Sequence, residues 1–244
     1  MNQEYIKDKI IFISGSAKGL GAEIAKVFAQ KGAQVIIHYR NSRKEAEEVL
    51  KEVQKHSPNS FIVSGDLTKK EDVEELFQEI YQRVSNIDVL INTIGDFIYK
   101  PIGKASFEEF RNVLESNLYS TFLCSKAVLP KMREKRKGAI INFGSVGCER
   151  ILLRPNTTPY YIAKTGIYML TKLMAFEEAT YGIRINMISP GALPTSIVKP
   201  DEFPSGRATE FSDIIKAIMF LLSNDASYIM GANLEVSGGW SPEL

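Results

Sequence analysis

Seven short runs rich in β-branched and aromatic residues, at 10–13, 35–39, 61–64, 88–92, 139–143, 183–188 and 233–236, are spaced along the chain with a helix-patterned segment between most neighbours. That alternation constrains the fold more than any other feature. Strands that pair in parallel need a long crossover, and a helix is the usual one. The runs recur in steps of about 25 to 45 residues, with no polar linker, repeat or low-complexity tract dividing them. The expectation is one α/β domain over residues 1–244, a doubly wound parallel sheet of about seven strands flanked by helices.

The segments between the runs carry helix signals of their own. Thr68 with Glu71, and Ser106 with Glu109, have capping-box spacing and predict helix starts. The helix opened by Ser106 reaches the basic run at 131–137, where cations suit a helix C-terminus. Its middle, 114–129, is apolar on more than one face, which predicts burial against the sheet on one side and against a partner on the other. Val113, Leu114, Leu118, Phe122, Leu123 and Val128 are the residues expected there.

Composition excludes several classes. With 244 residues, 44% of them hydrophobic, the chain can bury a large core, while a net charge of +1 gives no field for nucleic acid or an anionic membrane surface. No apolar run approaches about 18 residues, and the first residues lack a signal-peptide pattern, so no membrane association is expected. Two cysteines, Cys124 and Cys148, make no disulfide framework and point to the cytoplasm. No metal-ligand spacing occurs, and His38 and His56 read as surface or strand residues.

Chemistry begins at Gly15, Gly19 and Gly21, between the first strand and its helix. Backbone amides at such a turn, including those of Ser16 and Leu20, can approach a pyrophosphate without Cβ obstruction, and the helix N-terminus favours the anion. At the end of the second strand, dinucleotide folds commonly place an acid on the adenosine ribose. Here His38-Tyr39-Arg40-Asn41 stands in its place. Arg40 and Lys18 are expected to converge on a 2′-phosphate, so NADP(H) is preferred, with NAD(H) possible.

Tyr160 and Lys164 are four residues apart, one turn on a helix face, with Ser145 fifteen residues before Tyr160. A phenol beside a fixed cation is a tuned acid. Spacing alone does not decide this, since Tyr5/Lys9 and Tyr168/Lys172 share it. Phe97 and Tyr99 suit either a substrate pocket or core packing.

Over nearly its whole length, the chain resembles the short-chain dehydrogenase/reductase family, in its compact single-domain branch, with 3-oxoacyl-(acyl-carrier-protein) reductase-like members nearest in look. The stretch from Ser14 to Gly21 is similar to the family's Thr-Gly-x-x-x-Gly-x-Gly, and Asn92-Thr93-Ile94-Gly95 to its Asn-Asn-Ala-Gly. The resemblance implies a Rossmann-type fold and a catalytic tetrad of Asn117, Ser145, Tyr160 and Lys164. It also implies an adenine-side contact at Asp66-Leu67 and a nicotinamide-side segment at Pro190, Gly191 and Thr195. In the implied mechanism the cofactor delivers a hydride to a carbonyl, Ser145 holds the oxygen and Tyr160 donates the proton. Lys164 binds the nicotinamide ribose and, together with the oxidised nicotinamide, lowers the Tyr160 pKa, and Asn117 links Lys164 to solvent through its backbone and a water.

The chain departs from the family in three places. Thr93 and Ile94 replace Asn and Ala, the interval from Ser145 to Tyr160 is longer by a residue or two, and the segment at 195–207 is shorter than a usual substrate cover by roughly ten residues. The leading reading is an NADPH-dependent reductase of a ketone or aldehyde, with a small-molecule carbonyl or an acyl thioester as substrate and a homotetramer as the assembly. The alternatives are a pteridine-reductase-like or other small-carbonyl reductase, and a non-catalytic dinucleotide-binding sensor. In pteridine reductases an Asp stands in for the serine, whereas here no Asp lies between Ser145 and Tyr160.

Overall fold

The computed structural model describes residues 5–151, 154–193, 196–197 and 203–242. β1 (Ile10–Ile13), β2 (Gln34–Tyr39), β3 (Phe61–Ser64), β4 (Val89–Asn92), β5 (Gly138–Phe143), β6 (Ile183–Pro190) and β7 (Asn233–Val236) form one parallel sheet of seven strands, in the order β3-β2-β1-β4-β5-β6-β7. Ile11 and Ile13 belong to the core on one face, and Phe12 between them to the core on the other. The central strands are buried on both faces, which is why they read in sequence as unbroken apolar runs rather than as alternation.

α1 (Gly19–Gln30), α2 (Arg43–Gln54) and α7 (Phe211–Leu222) pack on the first face. α3 (Lys70–Arg83), α5 (Ser120–Lys135) and α6 (Thr158–Glu178) pack on the second. The strand order reverses direction between β1 and β4, and in an open α/β sheet a ligand crevice lies outside the carboxyl ends of the strands at that switch point.

Strand limits agree with the sequence reading to within a residue or two, but some local expectations fail. Thr68 does not cap α3. Its hydroxyl and its N–H both donate to the Asp66 carboxylate, at 2.8 and 3.1 Å, and the Asp66 N–H donates to Asp72. Ser106 and Glu109 do form a capping box, at the start of α4 (Phe107–Leu114). The helix then passes through a π turn, Glu115–Tyr119, before α5 begins.

The outward apolar face also differs from expectation. Val113 and Val128 are fully buried, because they face the protein interior. Phe122 does point outward, as expected, joined by Tyr119 and by a stripe on α6 of Ile162, Met169, Leu173 and Phe176, the last 84% exposed. Among the described residues, no helix is long and apolar enough to cross a membrane, and no cluster of His, Cys, Asp and Glu could hold a metal ion.

Candidate active site

The glycine turn is built by exclusion. A Cβ on Gly15, at φ +63°, would lie 2.3 Å from Ile94 Cγ2, and one on Gly21 would lie 2.8 Å from the Gly15 carbonyl oxygen. Ile94, a departure from the family pattern, thus packs on the first glycine. Thr93 ties the same turn: its N–H donates to Ser14 Oγ at 2.9 Å and its hydroxyl to the Ser14 carbonyl.

His38, read as a surface or strand residue, is a strand residue: it lies in β2 and is buried against the turn. Its Nδ1 accepts the Gly15 N–H at 3.0 Å, and Nε2–H donates to the Gly65 carbonyl at 3.0 Å. That pairing fixes a neutral tautomer, and burial lowers the imidazole to about 4. The signal was available: His38 lies in an apolar run with a β-strand period.

Ser16 also proves structural. Its hydroxyl donates to the Ile13 carbonyl and accepts the His38 N–H, and its own N–H donates to the His38 carbonyl. The turn spends the Gly15 and Ser16 amides on itself. The amides at the start of α1, of Gly19, Leu20 and Gly21, have no acceptor within the helix. A Cβ on Gly19 would meet nothing within 4 Å, so bare backbone faces outward there. This donor set at a helix N-terminus fits the pyrophosphate of a dinucleotide.

On the adenosine side, the expected convergence of Lys18 and Arg40 is not found. The Lys18 ammonium is 2.7 Å from Glu45 and the Arg40 guanidinium 3.9 Å from Asp66, so each cation leans on a carboxylate that sequence order hid. Burial works to raise the Asp66 acid, but its Thr68 bonds and the Arg40 charge bring it below the usual range. Tyr39 closes β2 half-buried, Asn41 is exposed, and the Leu67 side chain is core, leaving only its backbone for a ligand.

Asn92 and Gly95 lie at the switch point. The Asn92 amide donates to Asn142 Oδ1 at 2.9 Å, and Asn142 passes the chain on to Thr171. Gly95 is required: a Cβ there would lie 2.0 Å from Asn117 Oδ1. Asn117 sits inside the π turn, where its amide donates to the Asp96 and Val113 carbonyls, both at 2.9 Å. Its Oδ1, like that of Asn92, is buried without a partner among the described residues. The Asn117 carbonyl, expected to hold a water, accepts the Thr121 hydroxyl at 2.7 Å.

Tyr160 and Lys164 rise from the first turns of α6 and line the switch-point crevice, and Ser145, just past the end of β5, is tied to the Tyr160 phenol. The Lys164 ammonium is buried, donates to the Phe143 carbonyl at 2.9 Å, and lies 5.4 Å from the Tyr160 ring centre. Burial lowers it to about 8. Burial raises the Tyr160 phenol and Tyr161 adds to the rise, opposed by a hydrogen bond with Ser145.

A cleft of about 410 Å³ opens above these groups, lined among others by Phe97, Gly191, Leu193 and Trp240. Phe97 meets Tyr160 edge to face at 5.0 Å between ring centres, which settles it as a pocket residue, while Tyr99 is exposed and not among the lining. Pro190 ends β6, and a Cβ on Gly191 would lie 2.8 Å from the Ser237 backbone. Thr195 lies outside the described residues, as does part of the 195–207 segment.

Residues 15–241 match a family model described as enoyl-(acyl carrier protein) reductase. A 3-oxoacyl-(acyl-carrier-protein) reductase FabG of Haemophilus influenzae is 35% identical, covering 96% of this chain and 98% of the relative. The 3beta-hydroxysteroid dehydrogenase 1 of Eggerthella lenta is 33% identical, covering 96% of this chain and 94% of the relative. Among solved structures, a candidate gluconate dehydrogenase from Agrobacterium tumefaciens superposes with a TM-score of 0.89 at 27% identity, covering 97% of each chain. With its sheet order, its glycine turn and matches over almost its full length, this chain belongs to the short-chain dehydrogenase/reductase family and is an NAD(P)-dependent oxidoreductase.

Proposed function

We propose that the protein reduces a ketone or aldehyde to an alcohol, with NADPH as the preferred cofactor and Tyr160 as the proton donor. The observation that carries the reading is the pairing of Tyr160 with a buried Lys164 in the lining of one cleft, with Ser145 hydrogen-bonded to the phenol and Phe97 against its ring. A bound nicotinamide supplies two electrons as a hydride to the carbonyl carbon and leaves oxidised. The Ser145 hydroxyl donates to the carbonyl oxygen and orients it. Tyr160, whose raised pKa keeps it protonated at neutral pH, gives its proton to that oxygen as negative charge develops. Lys164 takes up the nicotinamide ribose, and Asn117, braced by Gly95, sets the kinked helix behind it.

The cofactor-binding set rests on the α1 amides, with Lys18, Tyr39, Arg40, Asn41, Asp66 and Leu67 around the adenosine. Asn92, Gly95, Pro190 and Gly191 serve the nicotinamide side. NADPH is favoured because the end of β2 offers Arg40 and no acid of its own. Since Lys18 and Arg40 must leave Glu45 and Asp66 to grip a phosphate, the preference is modest, about tenfold.

A second reading, a 3-oxoacyl thioester reductase, draws support from the FabG relative. A non-catalytic sensor would have no use for all four of Asn117, Ser145, Tyr160 and Lys164. The outward stripe on α6, with Tyr119 and Phe122, suits a homotetramer built on paired helices, and both cysteines are free, as the cytoplasm requires. A panel of ketones, aldehydes and 3-oxoacyl thioesters, followed by cofactor absorbance with NADPH and with NADH, tests the activity. No turnover on any carbonyl would overturn it. Light scattering on the same sample tests the assembly, and a monomer at micromolar concentration would contradict it.

A further inference from the structure

The cleft above Tyr160 holds two cations among its described lining, Lys164 and Arg154, and no carboxylate. Lys164 is committed to the Phe143 carbonyl. Arg154 has no such commitment. Its guanidinium carbon lies 5.9 Å from the Trp240 ring centre, and no oxygen of the described residues pairs with it. Every other arginine of the described residues has a carboxylate or a main-chain carbonyl against its guanidinium. A half-buried guanidinium among apolar side chains gives up hydration and recovers little of it from an aromatic face. The indole lies at the outer edge of cation–π reach, so the planar fork keeps its donors for an anion.

Arg154 lines the same cleft as Tyr160 and Tyr161, so a substrate whose carbonyl lies at the Tyr160 phenol can present a second group to the guanidinium. Its charge also acts to lower the Tyr161 phenol, against the larger effect of burial, and the Tyr161 hydroxyl donates to the Val146 carbonyl beside Ser145.

We infer that Arg154 receives a carboxylate, and that the substrate is an oxo acid, its carbonyl at Ser145 and Tyr160 and its acid group on the Arg154 fork. The inference rests on the carbonyl-reductase reading for its chemistry, but the anion site stands on its own geometry. A neutral ketone or an acyl thioester would leave the guanidinium as bare as it is now.

The test uses the full chain with NADPH and a series of 2-, 3-, 4- and 5-oxo carboxylic acids, each beside its methyl ester. The expected result is that at least one acid exceeds its ester in kcat/KM by about tenfold to a hundredfold, the range of a bidentate charge-assisted pair. In Arg154→Met, which keeps the stem volume, that ratio falls to about one, with the loss carried mainly in KM. In Arg154→Lys it recovers in part.

Esters reduced as well as acids by the parent, or a ratio unmoved by Arg154→Met, would overturn the carboxylate site while leaving carbonyl reduction intact. Calorimetric binding of the matching saturated carboxylates to the cofactor-loaded protein supplies the separate readout. Binding that Arg154→Met abolishes, with no turnover on any carbonyl, would uphold the anion site and sink the reductase reading. Absence of such binding, with acids and esters turned over alike, would count against the site alone.

Discussion

One helix, α6, carries the same local pair twice, and only one copy is built into a cleft. Tyr160 and Lys164 stand 5.4 Å apart from ring centre to ammonium, and Tyr168 and Lys172, two turns on, stand 5.9 Å apart. Helix geometry makes the two pairs nearly identical. Their surroundings do not. Lys164 is buried, bonded to the Phe143 carbonyl and lowered to about 8, whereas Lys172 is exposed. Tyr160 borders the cleft with Phe97, and Tyr168 packs against a small side cluster with Ile167 and Met187. A sequence motif therefore supplies a geometry, and the fold decides whether that geometry becomes chemistry.

The contrast is most easily broken at the phenols. Tyr160→Phe keeps the ring and removes the proton, so carbonyl reduction should lose about 3 to 5 kcal/mol of transition-state stabilisation while cofactor binding survives. Tyr168→Phe should be nearly silent in the same steady-state assay. Equal rates for the Tyr160 variant and the parent would show that the environment of the first pair is not catalytic.

The two histidines extend the contrast to stability. His38 is buried and doubly bonded, and His56 is exposed. The native His38 pKa, about 4, lies below the ordinary value of 6.5. As pH falls from about 6.5 to 4 the unfolded chain takes up a proton that the native one refuses, so stability is lost across that window, by about 3 kcal/mol in all. Above 6.5 this contribution is level.

His38→Leu strands the Gly15 N–H and the Gly65 carbonyl, costing about 2 to 4 kcal/mol at pH 7.5. By pH 5 the gap between parent and variant should close by about 2 kcal/mol, because the variant lacks the proton linkage. Urea unfolding at the two pH values measures both. A gap that stays constant would mean that His38 is not held neutral. His56→Leu should show neither effect.

The smallest effect is expected at the exposed end of this scale. Arg40, 52% exposed and loosely paired with Asp66, is expected to give NADPH about a tenfold advantage over NADH. Arg40→Asp adds repulsion to the loss and should bring the ratio of dissociation constants to one or below. A parent that binds NADH at least as tightly would show that Arg40 does not grip a 2′-phosphate.

Much of the fold was legible because its signals are local. Seven short apolar runs became seven strands, and Ser106 with Glu109 formed the cap their spacing predicts. Gly15 and Gly21 were legible as a close-packed turn, though not the contacts that demand them, since Ile94 comes from the far side of the switch point. Thr68 shows why capping signals can mislead: α3 starts at Lys70 with Lys69 in the cap position, and Thr68, one residue too early, donates to Asp66 instead.

The sequence alone determined the order of strands and helices, the place of the glycine turn and the residue types on hand for the reaction. Each of these follows from propensity and spacing within a few residues of chain. Tertiary structure decided which like residues differ: which Tyr-x-x-x-Lys pair reaches the cleft, which histidine braces the turn, which cations find a carboxylate. Those outcomes depend on burial and on partners brought from distant strands. Desolvation, which moved His38 and Lys164 and raised Tyr160, is a property of the packed surroundings that no local spacing encodes.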